Sequence, residues 1–179
     1  MIVIHNDFFP EFEKLQSIVR SLTYQGMVNP KDGVWYPHIN IAIPERWLNY
    51  MVECLDAKGY TAFLRLTTEN TNAPHQAHND SIMGEFTAIA YMNPGEGGTS
   101  LLKHKKYDWR YGVPIEDAEL WKQETNKYDR WEIVEMIKNE PNKLVTYPSN
   151  YMHRAEPVNG FGKTPHDGRL VLTMFYNQR

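Results

Sequence analysis

The residue pattern of this chain changes at Tyr60. Before that point, Pro10 and Pro44 each open a stretch with apolar residues on one helical face, and Gly59 is placed to end the second helix. After it, the chain is dominated by short alternating and β-branched stretches separated by turn residues. Helices followed by strands favour a mainly β, α+β fold, in which an antiparallel barrel-like sheet carries helices on one side.

The later part of the chain is punctuated by turn signals such as Asn93-Pro94-Gly95. Between these signals we expect an extended segment over 75–80 and one inserted helix over 114–138, with Trp131, Val134 and Ile137 on one face. Residues 23–43 are expected to be irregular. Strands are predicted over 1–6, 60–68, 85–92, 99–103, 143–147, 155–158 and 169–176.

Length and composition predict one domain over residues 1–179, with a helical part over 1–59 and a β core over about 60–177. The formal net charge of −3 argues against a large nucleic-acid or membrane interface. The apolar runs are too short to span a bilayer, and residues 1–6 do not resemble a signal peptide. Cys54, the single cysteine, is predicted to be a small buried hydrophobe in a reducing compartment. We therefore expect a cytoplasmic protein.

His78-Asn79-Asp80 is the strongest candidate for chemistry. Residues two apart on a strand point to the same face, so the His78 imidazole and the Asp80 carboxylate would project side by side. His153, which follows a turn signal, is the candidate third ligand. Two histidines and one carboxylate form a set that suits Fe(II) oxygenases and leaves positions for an oxoacid and dioxygen. His75 competes with His78, but on a strand those two would face opposite ways.

These ligand candidates also have simpler interpretations. His78 and Asp80 alone would usually be a surface histidine and a turn aspartate. His153 alone would often be a core histidine whose polar atoms are paired inside the protein. The prediction of a metal site with ligands His78, Asp80 and His153 therefore depends on the set and not on any one member.

Arg169 stands at the beginning of an apolar strand that continues to Tyr176. A charged residue at the start of a buried strand needs a partner, and a guanidinium group is matched in shape to a carboxylate. Arg169 would therefore hold the distal carboxylate of a dicarboxylic oxoacid. An ordinary ion pair at a strand end is the alternative. Lys163, in the glycine-rich loop 159–167, is a second candidate for the anion and a poorer anchor.

The ordered set of these motifs resembles the 2-oxoglutarate and Fe(II)-dependent dioxygenases on their prolyl-hydroxylase-like side, including uncharacterised microbial and phage members. The resemblance covers roughly residues 60–177. The matching features are His78-x-Asp80, Tyr91-Met92-Asn93, Gly97-Gly98-Thr99, His153 and Arg169.

This resemblance implies a double-stranded β-helix of the jelly-roll or cupin type. It implies Fe(II), 2-oxoglutarate and O2 as cofactor and cosubstrates, and the hydroxylation of a substrate coupled to conversion of 2-oxoglutarate to succinate and CO2. It also implies that Tyr91 reaches the cosubstrate through its hydroxyl, with Thr99 as a neighbour.

The sequence departs from the family pattern at two places. Val171 stands where the family often has a small hydroxyl residue, and the interval from His153 to Arg169 is long. These departures keep open a second hypothesis, a non-catalytic cupin-like barrel that binds a metal or ligand. A basic cluster at 103–106 with Arg110 is the basis of a third, nucleic-acid modification, against which the net charge argues.

We expect the substrate to be a small molecule or a peptide. Its recognition would reside in the segments around the mouth of the barrel, over residues 23–43, 103–113 and 159–167. Arg65, His75 and His104 are the candidate side chains for substrate contacts.

Overall fold

Strands dominate the computed structural model of this chain. The structure describes residues 1–71 and 73–178, so Asn72 and Arg179 lie outside the described residues. Within that part of the chain the ten strands are β1 (Val3–His5), β2 (Gln25–Val28), β3 (Trp35–Asn40), β4 (Ala57–Thr67), β5 (Phe86–Tyr91), β6 (Gly98–His104), β7 (Trp131–Lys138), β8 (Leu144–Pro148), β9 (His153–Glu156) and β10 (Arg169–Gln178).

The strands form two antiparallel sheets. The larger sheet has the order β1-β8-β5-β10-β4-β3-β2, and the smaller has the order β7-β6-β9. Leu101 and Ile137 of the smaller sheet pack with Ile89, Val145 and Val171 of the larger one in a shared core. Two facing antiparallel sheets of this kind form a double-stranded β-helix, which confirms the predicted fold class.

β10 runs through the middle of the larger sheet and is buried on both faces. Leu170, Leu172 and Met174 face the helical side of the sheet, where they belong to the main apolar core. The alternate residues, including Arg169 and Val171, face a cavity between the sheets. Burial of both faces explains why the sequence of this strand is a continuous run of mainly apolar residues.

Two helices, α1 (Phe12–Arg20) and α2 (Glu45–Cys54), cover the outer face of the larger sheet. Their buried residues include Leu15, Trp47 and Met51. Both helices begin just after the prolines that predicted them. They therefore support the sheet on the side opposite the cavity.

The prediction that Gly59 ends the second helix is wrong. The helix ends at Cys54, and Gly59 lies within β4 with a φ of 64°. Cys54 is also exposed and not buried as predicted. The buried stripe of this helix continues through Trp47, Met51 and Leu55, and Cys54 lies about 100° away from Leu55 around the helix.

Two further predictions of local structure are wrong. The segment 23–43 is not irregular throughout, because β2 and β3 within it form a hairpin that extends the larger sheet. The inserted helix is also much shorter than predicted. It comprises a 3-10 turn over Ile115–Asp117 and α3 (Ala118–Glu124).

Residues 131–138 form β7, which pairs with β6, and not the second half of a helix. β-branched residues such as Ile133 and Val134 favour a strand, and β6 offers an edge for pairing. A β-bulge at this point lets Glu135 pair with Leu101 and Ile133 with Leu102. Trp131, Val134 and Ile137 are three residues apart, which matches one face of a helix, although the segment is a strand.

The longest helix in the described part of the chain, α2, has 10 residues, and none of the described helices is long and apolar enough to cross a membrane.

Replacement of Leu64 by alanine should destabilise the fold strongly. Leu64 lies on β4 with no exposed surface and packs in the core beneath the helices. We expect the free energy of unfolding to fall by about 2–5 kcal/mol in urea denaturation, because the substitution leaves a cavity. Val134→Ala is the control, since Val134 is 40% exposed, and it should cost less than about 1 kcal/mol. Equal losses would contradict this account of the core.

Candidate metal centre

His78 and His153 are held together by the backbone. The His78 N–H donates to the His153 carbonyl at 3.0 Å, and the His153 N–H donates to the His78 carbonyl at 2.8 Å. The Asp80 N–H donates to the Ser149 carbonyl at 2.8 Å. The predicted extended segment over 75–80 therefore contains a single bridge at His78 and no full strand. This bridge attaches residues 78–80 to the beginning of β9.

Both imidazoles are oriented by backbone carbonyls. The Nδ1 atom of His78 lies 3.0 Å from the Gln76 carbonyl, and the Nδ1 atom of His153 lies 2.9 Å from the Tyr151 carbonyl. A carbonyl oxygen only accepts hydrogen bonds, so each Nδ1 carries the hydrogen. The two Nε2 atoms consequently face Asp80, which is the arrangement required of histidines that ligate a metal.

The three potential donor atoms are close enough to share one ion. The Nε2 atoms of His78 and His153 lie 3.6 and 3.0 Å from the two Asp80 oxygens, and all three donors lie within 4.8 Å of one another. Two ligands about 2.2 Å from one ion and at right angles to each other are separated by about 3 Å. The distances therefore fit a metal ion bound by these three residues.

The three side chains also shift one another's pKa. Desolvation, followed by the neighbouring His153, lowers the pKa of His78 to about 4. Desolvation opposes ionisation of Asp80, but its attraction to the two histidines is stronger and lowers its pKa. The pKa of His153 is raised, because the charge and hydrogen bond of Asp80 outweigh desolvation. At neutral pH His78 is thus neutral and Asp80 ionised, as metal ligation requires, and any proton carried by the Nε2 of His153 must leave when a metal binds.

A cavity of about 550 Å³ lies beside this cluster. Its wall includes all three residues of the cluster, together with Arg169 from β10 and Thr99 from β6. Residues between 27 and 41, in and next to the β2–β3 hairpin, form much of its lining. None of the described residues in 103–113 or 159–167 lines it, in contrast to the sequence expectation.

Arg169 is buried beside the cavity with only part of its guanidinium group engaged. Its Nη2 donates to the Gly98 carbonyl at 3.2 Å and to the Thr99 hydroxyl at 3.4 Å. Its Nε, although buried, has no hydrogen-bond partner among the described residues. A buried donor without a partner is costly, so this position favours an acceptor supplied from outside the chain.

Tyr91 and Thr99 lie around Arg169. The Tyr91 hydroxyl is 2.6 Å from the Thr99 hydroxyl, and the Arg169 guanidinium lies 5.9 Å from the centre of the Tyr91 ring. Both residues therefore help to fix the arginine. The alternative anion partner, Lys163, is exposed and lies 3.6 Å from Glu69, so it does not face the cavity.

The three candidate substrate contacts differ in position. Arg65 and His75 line the cavity, and the His75 ring lies 4.9 Å from that of Trp121. The expectation for His104 is wrong. This residue is fully buried, with its Nε2 3.1 Å from Glu124, in an aromatic cluster with Trp131 away from the cavity.

Tyr147 is a residue that sequence reasoning missed. It is fully buried on β8, its ring lies 5.2 Å from that of His153, and its hydroxyl has no hydrogen-bond partner among the described residues. Burial, followed by the nearby Asp80, raises its pKa. The alternation of β8 carried a signal for it, because Val145 and Tyr147 share the face that points between the sheets.

Substitution of His78 by alanine should remove metal binding. We expect the affinity for Mn(II), measured by isothermal titration calorimetry, to fall at least about 100-fold, because one of three protein ligands is lost. His166→Ala is the matched control, since His166 is exposed and outside the cluster. An unchanged affinity in the His78 variant would remove this residue from the ligand set.

No protein-family model and no curated protein sequence matches this chain. Among solved structures, AviO1 from Streptomyces viridochromogenes Tue57 is 13% identical with a TM-score of 0.52, and the match covers 97% of this chain and 89% of that one. A prolyl-4-hydroxylase from Pseudomonas putida is 14% identical, with a TM-score of 0.49 and coverages of 99% and 85%.

A prolyl hydroxylase from Trichoplax adhaerens, solved with a peptide fragment of hypoxia inducible factor, is 12% identical, with a TM-score of 0.49 and coverages of 98% and 83%. The fold shared with AviO1 extends over nearly all of both chains. Together with the two-sheet topology, it shows that this chain has a double-stranded β-helix fold.

Proposed function

We propose that this protein is a non-haem Fe(II) oxygenase that couples decarboxylation of 2-oxoglutarate to hydroxylation of an organic substrate. The observation that carries the proposal is the convergence of His78, Asp80 and His153, whose donor atoms lie within 4.8 Å of one another on the wall of a large cavity. In the overall reaction, 2-oxoglutarate, O2 and a C–H bond give succinate, CO2 and a C–OH group.

His78, Asp80 and His153 would hold the iron. This set of two imidazoles and one carboxylate leaves several coordination positions for a cosubstrate and dioxygen, and bound Fe(II) supplies the redox chemistry that activates dioxygen. The protein contributes orientation. The backbone bridge between the two histidines and the carbonyls at their Nδ1 atoms fix the directions of the ligand atoms before the metal binds.

Arg169 would bind the distal carboxylate of 2-oxoglutarate. Its Nε is buried without a partner, while its Nη2 is tied to Gly98 and Thr99, so the guanidinium is held in place with a donor still available. We also assign the Tyr147 hydroxyl, another buried group without a partner, to this cosubstrate. We also propose that Thr99, which lines the cavity, and the Tyr91 hydroxyl, which lies 2.6 Å from the Thr99 hydroxyl, are at the cosubstrate, while the Tyr91 ring supports Arg169.

We propose that the chain forms one catalytic domain, because the helical part packs directly on the sheet that carries Arg169. The substrate would be a small molecule or a peptide that enters through the cavity mouth. A single exposed cysteine fits a reducing compartment, for which we propose the cytoplasm.

Substitution of Arg169 by methionine should separate cosubstrate binding from metal binding. We expect anaerobic addition of 2-oxoglutarate to the Fe(II)-loaded wild-type protein to produce a weak visible charge-transfer band. In the Arg169→Met variant the 2-oxoglutarate concentration needed for half of this band should rise at least about tenfold, because a charge-assisted hydrogen bond to the distal carboxylate is lost. Fe(II) affinity should stay within a few-fold of wild type.

Arg110→Met serves as the control, since Arg110 is exposed and does not line the cavity. Aerobic incubation of the wild-type protein with Fe(II) and 2-oxoglutarate should also yield succinate. If the wild-type protein binds Fe(II) but shows neither the band nor succinate, the non-catalytic metal-binding barrel becomes the better description.

A further inference from the structure

Arg65 is a second guanidinium group in the same cavity. It lies on β4, paired with Val171 of β10 on one side and with Ile39 of β3 on the other. The next register pair on the same face of the sheet is Arg169 with Thr67, so Arg65 and Arg169 are diagonal neighbours. Two cations therefore share one wall of the cavity.

Arg65 has no ion-pair partner among the described residues. Its guanidinium lies 5.0 Å from the centre of the Tyr36 ring, and no acidic side chain in residues 1–71 and 73–178 comes within ion-pair distance of it. Burial and the charge of Arg169 lower its pKa, and Asp80 offsets this in part. Asp80, however, belongs to the proposed metal site.

The other charged residues that line the cavity have ionic or hydrogen-bond partners, although the buried Nη1 and Nη2 atoms of Arg154 have none among the described residues. Arg154 is paired with Glu156, whose oxygen lies 2.7 Å from the arginine Nε. Asp32 is exposed at the rim, where its oxygens accept hydrogen bonds from the Val34 N–H at 2.8 Å and from the Tyr36 hydroxyl at 3.4 Å. Arg65 is thus the cation that stays without an anion after Arg169 has received the cosubstrate.

The walls next to Arg65 are mainly apolar. Ile39 and Val171 flank it on the neighbouring strands, and Phe63 and Phe175 line the same cavity with ring centres 5.9 Å apart. Arg65 itself is only partly buried, whereas Arg169 is 4% exposed. It therefore lies nearer the mouth, within reach of a ligand that enters beside an apolar surface.

We propose that the substrate is an organic monocarboxylate with an apolar body, whose carboxylate binds Arg65 while the apolar part packs against Ile39, Phe63 and Phe175. This inference rests on the proposed function and adds the substrate class. A singly charged carboxylate balances the one cation that lacks a partner, and a guanidinium group matches its two oxygens. The carboxylate would orient the substrate so that its apolar part approaches the metal site.

The test uses matched acids and amides as probes. N-acetyl derivatives of alanine, valine, leucine and phenylalanine, each as the free acid and as the amide, are titrated by calorimetry into protein loaded with Mn(II) and 2-oxoglutarate, where turnover does not occur. We expect wild-type protein to bind at least one acid about tenfold or more tightly than its amide. Arg65→Met should bind that pair with equal affinity, and Arg65→Lys should keep part of the preference.

Two controls accompany the variants. Arg110→Met should retain the wild-type preference, and the melting temperature and Mn(II) affinity of Arg65→Met should match wild type. The proposal is overturned if Arg65→Met still prefers the acid, or if no acid in the panel binds wild-type protein more tightly than its amide.

A separate titration of 2-oxoglutarate without the probes distinguishes failure of the Arg65 inference from failure of the proposed oxygenase function. Arg65→Met should bind 2-oxoglutarate within about threefold of wild type. A loss as large as in Arg169→Met would assign Arg65 to the cosubstrate, which overturns this inference and leaves the oxygenase intact. Failure of the wild-type protein to bind 2-oxoglutarate at all would count against the oxygenase itself.

Discussion

The two reciprocal backbone hydrogen bonds between His78 and His153 are the constraint on which the site depends. They join segments that are far apart in sequence and bring the two imidazole rings to 4.4 Å between centres. Because the bonds are made by the backbone, they fix the positions of the residues whatever the protonation of the rings. A third backbone bond, from Asp80 to Ser149, adds the carboxylate to the same framework.

The second constraint is a set of buried or partly buried polar groups that lie between the two sheets without a partner among the described residues. The Arg169 Nε and the Tyr147 hydroxyl are buried without hydrogen bonds in the described part of the chain, and Arg65 has no acidic partner there. Groups of this kind destabilise a folded protein unless a ligand satisfies them. The apolar packing of the helices on the other face of the sheet offsets this cost, since residues such as Leu172 and Met51 lose all contact with water there.

A helix or strand was predicted correctly where neighbouring residues determine its conformation. It was missed where pairing with a segment distant in sequence determines it. The strand beginning at Arg169 was predictable, because it is buried on both faces and its sequence is therefore a continuous run of mainly apolar residues. The strand beginning at Trp131 was not, since its residues fit a helix until pairing with β6 selects the extended form. The hairpin over 25–40 was likewise missed, because its strands extend the larger sheet and do not form a buried apolar run of their own.

The sequence by itself determined the chemical inventory: His78 two residues before Asp80, a distal His153, and Arg169 opening an apolar strand. Residue type and local period were sufficient for these, since they depend only on neighbours along the chain. The tertiary structure alone decided that Tyr147 faces the site, that His104 is buried elsewhere and that Arg65 shares a wall with Arg169. Those outcomes follow from strand order and register, which are set by contacts between residues far apart in sequence.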